Sequence, residues 1–247
     1  MVPDLSTFAW VLLAFAAFVV GISKTGLPGG NTIAVAIFAA ILPAKESTGT
    51  LLLLLLVADV FAVVSYRRHT NWPALLRLAP AVIVGLALGV AFLAVADDAW
   101  VKRFIGVILI AVIAITLFRR RVQSQVADAG PHRIAAVTYG TLGGFTTMVA
   151  NAAGPVMSMY FLASRFSVKE FLGTAAWFYA LVNLTKLPFS IGLGLVTAPG
   201  VLLDLVLIPA VVVGALLGRR LADRMKQQVF ERLVIALTII GAVYLLL

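Results

Sequence analysis

Three charged residues stand inside hydrophobic segments of this chain, where charges are costly and usually mark ion or substrate pathways. Lys24 lies in "VGISKTGLPGGNTIAV", Asp59 in "LLVADVFAV" and Lys186 in "NLTKLPF". A lysine at membrane depth attracts an anion. A lone carboxylate there is protonated, paired with a lysine or part of a proton path. These residue types predict an anion site, with Asp59 as the candidate for proton coupling.

Helix-breaking residues surround Lys24 and recur in "GFTTMVANAAGP", residues 144–155. Unpaired backbone groups in hydrocarbon cost several kcal/mol, so a break survives only beside protein or a cavity. Pro28 and Pro155 each suit the first turn of a second half-helix, whose positive end attracts anions. The candidate substrate-binding residues are Lys24, Thr25, Gly26, Gly29, Gly30, Asn31, Thr147, Asn151, Gly154, Asn183 and Lys186.

Simpler interpretations of these residues stay open. Glycines also mediate helix packing in membrane bundles. Lys24 and Lys186 can extend towards an interface, and threonines can bond back to their own helix. Paired breaks with Pro, Asn and Lys in register nevertheless favour a ligand site. Asp204 is expected at the outer membrane interface, and Tyr179 is expected to be a packing residue.

The composition indicates the elements that must position these residues. The chain has 247 residues, 62% hydrophobic and 12% charged, about half the charged fraction of ordinary soluble domains. Long continuous apolar runs at 51–64, 78–96 and 104–118 fit bilayer-spanning helices of about 20 residues and not a β-barrel. We therefore predict an all-α polytopic membrane protein that is not an enzyme.

Several partner and cofactor classes are disfavoured by the same composition. The chain has no cysteine, and both histidines fall in charged loops, so neither a metal site nor a cofactor is expected. No phosphate-binding loop motif is present, which argues against direct use of ATP. The net charge of +9 is interpreted as loop charge that sets membrane orientation, with no nucleic-acid partner.

Internal similarity predicts two copies of one unit. "LAPAVIVGLALG" at 78–89 returns as "LIPAVVVGALLG" at 207–218, an offset of 129. "AKESTGTLL" returns as "VKEFLGTAA" at an offset of 124, which places Asp59 on Asn183, and the two breaks align near offset 123. The predicted units are a first repeat, 1–118, a cytoplasmic linker, 119–133, and a second repeat, 134–247.

Each repeat is predicted to hold one broken segment, either re-entrant or a pair of full spans, followed by three spans. The predicted segments are 8–42, 48–66, 73–95 and 101–118, then 134–163, 170–187, 200–217 and 230–247. With this arrangement 14 of the 19 Lys and Arg fall in loops on one face. The positive-inside rule makes that face cytoplasmic, so the repeats are inverted and both termini are periplasmic.

The two breaks and their flanks resemble the TauE/SafE family of sulfite and organosulfur-anion exporters. The resemblance rests on "GISKTGLPGG" and on "GFTTMVANAAGPVMSMYFL" followed by "F.GT.A", an Asn and "K.P". It implies secondary transport of a small sulfur oxyanion or sulfonate, such as sulfite, thiosulfate or sulfoacetate, across a bacterial inner membrane. It carries over to Lys24, Thr25, Gly26, Pro28, Gly29, Gly30, Thr147, Asn151, Gly154, Pro155, Thr174, Asn183 and Lys186.

The expected partners are thus a small anionic sulfur compound, the lipid bilayer and, through Asp59, protons. An anion channel also suits two inverted broken helices. A transporter of a small carboxylate without sulfur is a further alternative. An intramembrane enzyme is disfavoured because the spans hold no Cys, His or H-E-x-x-H motif.

Overall fold

The computed structural model describes residues 5–101 and 133–226, with isolated positions between 103 and 107 and between 228 and 236. Within these residues the chain is helical and has no β-strand. The predicted linker 119–133 and most of the predicted spans 101–118 and 230–247 lie outside the described residues. The helices are α1 (Thr7–Thr25), α2 (Asn31–Ile41), α3 (Ala44–Tyr66), a 3-10 turn (Arg67–His69), α4 (Trp72–Val95), α5 (Arg133–Ala150), α6 (Ala153–Ala163), α7 (Val168–Gly192) and α8 (Ala198–Asp223).

Four segments of the described part are long and apolar enough to cross a membrane: Thr7–Thr25, Ala44–His69, Trp72–Val95 and Ala198–Asp223. A helix of 20 residues spans about 30 Å, the thickness of the hydrocarbon core. Many large apolar side chains on these helices are exposed, among them Val60, Ile83 and Val206. The fold therefore supports a multi-pass helical membrane protein, as the composition predicts.

Two helix starts are fixed by matching contacts with glutamates. Asn71 and Thr197 cap α4 and α8 by accepting a backbone N–H, at 3.0 Å from Ala74 and 3.1 Å from Gly200. Such caps satisfy amides that the first helical turn leaves unpaired. The Asn71 amide also donates to Glu170 at 2.8 Å, and the Thr197 hydroxyl donates to Glu46 at 2.9 Å. Each glutamate lies in the first turn of α7 or α3 and so joins that helix to the start of a neighbour.

Glycines allow α1 to pack directly on the backbone of α8. A Cβ at Gly21 would lie 2.1 Å from the Val211 carbonyl oxygen, and one at Gly214 would lie 2.1 Å from that of Phe18. No larger residue fits at such distances, so these glycines set the separation of the helices. The α4–α5 interface has equally close contacts, Gly85 with Thr141 and Gly144 with Val82.

α3 and α7 pack against each other in opposite directions. The turn after α3 meets the beginning of α7, where the Thr70 hydroxyl donates to the Gly173 carbonyl at 3.2 Å. Asp59 is the sixteenth residue of α3 and Asn183 the sixteenth of α7. The two side chains are hydrogen-bonded, so this polar contact lies about two-thirds of the way along each helix.

Candidate functional site

A turn with an unusual backbone separates α1 from α2. Gly29 has a φ of 105°, in the left-handed region that favours glycine. The Asn31 N–H, at the start of α2, donates to the Ser23 hydroxyl at 3.0 Å. Pro28 therefore lies in the turn before α2, and the prediction that it occupies the first helical turn is wrong. The left-handed conformation of Gly29 belongs to this turn, two residues before α2 begins.

A shorter interruption separates α5 from α6. Asn151 has a φ of 52°, a conformation that asparagine tolerates better than most residues. Its side-chain amide donates to the Thr48 carbonyl on α3 at 2.9 Å, which holds the turn in place. Pro155 is the third residue of α6 and lies in its first turn, as the sequence predicts.

The two interruptions meet around one pocket. The Asn31 amide donates to the Asn151 carbonyl at 3.0 Å. A small, partly open pocket lies beside this contact. From the predicted set it is lined by Lys24, Gly29, Asn31, Thr147, Asn151, Gly154 and Asn183. The walls thus combine residues from both halves of the chain.

Lys24 forms a buried ion pair with Asp59. The Lys24 Nζ lies 2.7 Å from Asp59 Oδ1, and the two side chains are 7% and 3% exposed. The Asn183 amide donates to the other carboxylate oxygen, Oδ2, at 2.6 Å. Lys24 Nζ also lies 4.2 Å from the centre of the Tyr179 ring, within cation–π range. The sequence leaves Asp59 protonated, paired with a lysine or part of a proton path. In the structure it is paired with Lys24.

Lys186 contacts the interruption between α5 and α6 but does not line the pocket. Its Nζ donates to the Thr147 carbonyl at 2.6 Å and to the Asn151 side-chain oxygen at 2.5 Å. The residue is 1% exposed, so it does not extend to an interface. Its charge stabilises the backbone and side chains that form the pocket wall.

The chain's family follows from a match over nearly its whole length. The family model described as "Sulfite exporter TauE/SafE" matches residues 13–245. This chain belongs to the TauE/SafE family. Because that family consists of membrane transporters, the protein is a transmembrane transporter and not an enzyme. No curated protein and no solved structure shows significant similarity to it.

Three predicted binding residues of this TauE/SafE protein lie away from the pocket. The Thr25 hydroxyl donates to the Ala215 carbonyl on α8 at 2.7 Å. A Cβ at Gly26 would lie 2.2 Å from the Gly218 carbonyl oxygen, so this glycine also contacts α8. A Cβ at Gly30 would make only ordinary contacts, with the Leu27 carbonyl oxygen and with the side chains of Val19 and Ser23. The geometry gives these residues packing roles.

Thr174, which the family resemblance also singles out, contacts the segment just before α4. Its hydroxyl accepts the Asn71 N–H at 2.9 Å, next to the start of α4. The residue is fully buried. It therefore helps to position α4 and does not reach the pocket.

The structure also places Tyr179 and Asp204, two residues that the sequence analysis considers outside the predicted site. Tyr179 lines the pocket beside Lys24, and its position four residues before Asn183, on the same helix face, is the signal that identifies it. Asp204 is 4% exposed. Neither of its carboxylate oxygens has a hydrogen-bond partner among the described residues.

Proposed function

We propose that this TauE/SafE protein is a secondary transporter of a small sulfur-containing anion, such as sulfite, thiosulfate, sulfoacetate or another sulfonate. The membrane is the bacterial inner membrane, and the binding site is the pocket between the two interruptions. The observation that carries the proposal is Lys24, a buried cation on the wall of a pocket built from both halves. Intramembrane charges of this kind usually line substrate pathways.

The beginning of α6 supplies the second element of the proposed anion site. The first N–H groups of a helix have no partner within it and carry a partial positive charge. Gly154, the second residue of α6, lines the pocket. Within the described part of the chain nothing lies within 4 Å of the position of a Cβ on Gly154. An anion can therefore approach the backbone there, whereas the first N–H of α2 is already bound by Ser23.

The proposed architecture is two inverted repeats, 1–118 and 134–247, each with one broken segment. Matched contacts support it. The contact of Gly21 with Val211 recurs as that of Gly144 with Val82, at the sequence offsets of 123 and 129. The second glycine contact of each interface recurs at the same offsets. The pairing of a glutamate with a helix cap recurs at offsets of 124 and 126. In transporters built this way, the binding site lies at the repeat interface near the membrane midplane.

The inverted arrangement makes a prediction about membrane orientation. Both termini are expected in the periplasm, and the linker 119–133 and the segment 219–232 in the cytoplasm. The chain is free of cysteine, so single cysteines report sidedness directly. Ser124→Cys should react with a membrane-impermeant maleimide only after permeabilisation, and Ala99→Cys should react in intact cells. Labelling of Ser124→Cys from outside would refute the arrangement.

Uptake into proteoliposomes tests the transport function itself. Sulfite, thiosulfate, sulfoacetate, sulfate and small carboxylates are compared with and without a pH gradient. Saturable uptake of a sulfur anion that responds to the gradient is the expected result. Flux that saturates weakly and ignores the gradient would indicate a channel. Uptake of carboxylates alone would contradict the proposed substrate class.

Asp59 is the proposed coupling residue, and Asp204 provides a matched comparison. Asp59→Asn should remove the response to the pH gradient while anion binding persists, because the amide cannot titrate. Asp204→Asn makes the same chemical change at another buried carboxylate and should leave the response intact. Gradient-driven uptake with each variant is the measurement. The opposite result would move the coupling role to Asp204.

A further inference from the structure

Two hydrogen-bond acceptors of the pocket have no donor among the described residues. Asn31 and Asn183 both line the pocket. In each, the side-chain oxygen Oδ1 is buried and accepts no hydrogen bond from the described residues. An unpaired buried acceptor is costly, so a donor is expected there when the site is occupied. Asn183 is itself only 1% exposed.

The orientation of both amides is fixed by their other contacts. The Asn31 amide nitrogen donates to the Asn151 backbone carbonyl at 3.0 Å. The Asn183 amide nitrogen donates to the Asp59 carboxylate at 2.6 Å. Carbonyl and carboxylate oxygens only accept, so rotating either amide by 180° would place two oxygens against each other. The unpaired atoms are therefore acceptors.

Asn151, in the same pocket, has hydrogen-bond partners for both its side-chain nitrogen and its side-chain oxygen. Its amide nitrogen donates to the Thr48 carbonyl at 2.9 Å, and its side-chain oxygen accepts from Lys186 at 2.5 Å. Donors for an anion are present at Lys24 and at the start of α6. A ligand that offers only acceptor oxygens would use these donors and leave both free amide oxygens unpaired.

The charges around the pocket favour a single negative charge on the ligand. Lys24, Lys186 and Asp59 together carry one net positive charge when all three are ionised. A monoanion neutralises this charge, a dianion leaves an excess negative charge and a zwitterion leaves the positive charge in place. Uncompensated charge is strongly disfavoured at membrane depth.

We propose that the ligand is a sulfur oxyanion with one negative charge and one O–H donor: hydrogensulfite or a hydroxyalkyl sulfonate. The sulfur oxygens contact Lys24 and the beginning of α6, and the hydroxyl donates to Asn183 or Asn31. This proposal rests on the proposed function and narrows its substrate class. It disfavours thiosulfate and sulfoacetate, which are dianions without a donor.

Isothermal titration of the purified full chain with a matched ligand pair tests the inference. Isethionate (2-hydroxyethanesulfonate) and 1-propanesulfonate have the same charge and similar size and differ in a hydroxyl against a methyl group. Isethionate should bind about 10- to 100-fold more tightly, and also more tightly than sulfoacetate. Equal binding of the pair would overturn this inference alone. If no sulfur anion binds and none is transported, the proposed function fails with it.

Substitutions of Asn183 and Asn31 test whether their side-chain oxygens cause the preference for isethionate. Asn183→Leu should reduce the preference for isethionate, and Asn31→Leu should do the same if Asn183→Leu does not fold. Thr185→Val, on the exposed face of the same helix as Asn183, should retain the full preference. Full preference in both asparagine variants would overturn the assignment of these acceptors.

Discussion

Lys24→Ala is expected to weaken anion binding by about a hundredfold. A buried hydrogen bond to a charged group contributes roughly 1.5–3 kcal/mol, which corresponds to about a tenfold to hundredfold change in affinity. The upper end applies because the variant also exposes the anion to Asp59, which Lys24 otherwise neutralises at 2.7 Å. The dissociation constant for sulfite, measured by isothermal titration, is the readout.

A double variant separates binding from folding in this experiment. Removing one member of a buried ion pair costs about 3–5 kcal/mol of stability, whereas replacing both members is often neutral. Lys24→Met combined with Asp59→Asn should therefore melt close to the parent protein but still fail to bind the anion. If the folded double variant binds sulfite like the parent, Lys24 serves only to neutralise Asp59 and the anion site lies elsewhere.

The sequence could identify the pocket residues that depart most strongly from a hydrophobic helix. Lys24 and Asp59 are charged, and Asn151 lies in a segment rich in helix breakers; each is exceptional in a chain that is 62% hydrophobic. Such residues are costly in hydrocarbon unless protein surrounds them. The structure buries all three, and Lys24 and Asn151 lie on the pocket wall.

The sequence could not determine which residues beside a break face the pocket. Successive residues of a helix point about 100° apart, so Lys24 can face the pocket while Thr25 faces α8. Periodicity cannot be followed through a break, because the helix that defines it ends there. The partners of Lys24 and Lys186 depend on how far neighbouring helices are shifted along each other.

The internal sequence similarity predicts the packing contacts between helices. It does not predict which polar residues line the pocket. The glycine contacts and glutamate–cap contacts recur in both halves. The charged residues do not: Asp59 corresponds to Asn183, and Lys24 aligns with Thr147 at the offset of the breaks. The matched packing contacts thus surround a polar cluster whose ion pair has no counterpart at the aligned positions. Only a single group of the aligned pair Asp59 and Asn183 can titrate, which is the reason for testing Asp59 alone for proton coupling.

Gly154→Val is expected to abolish anion uptake with little effect on folding. The residue lines the pocket, and nothing in the described part of the chain lies within 4 Å of its Cβ position. A valine side chain there would occupy space for the ligand and cover the first N–H groups of α6. Gly29→Val should also block the pocket, but a φ of 105° at Gly29 adds backbone strain of order 1–3 kcal/mol. Substitution of Gly154 therefore tests steric blocking of the pocket without the backbone strain expected at Gly29.

Gly192 at the end of α7 is the matched control for this substitution. It also has nothing within 4 Å of its Cβ position among the described residues, but it is exposed and far from the pocket lining. Gly192→Val should retain transport, Gly154→Ala should reduce it, and Gly154→Val should eliminate it. All three should melt within a few degrees of the parent, because none replaces a packed residue. The two valine variants differ in whether the new side chain enters the pocket. If folded Gly154→Val takes up sulfite like the parent protein, the substrate path lies outside this pocket.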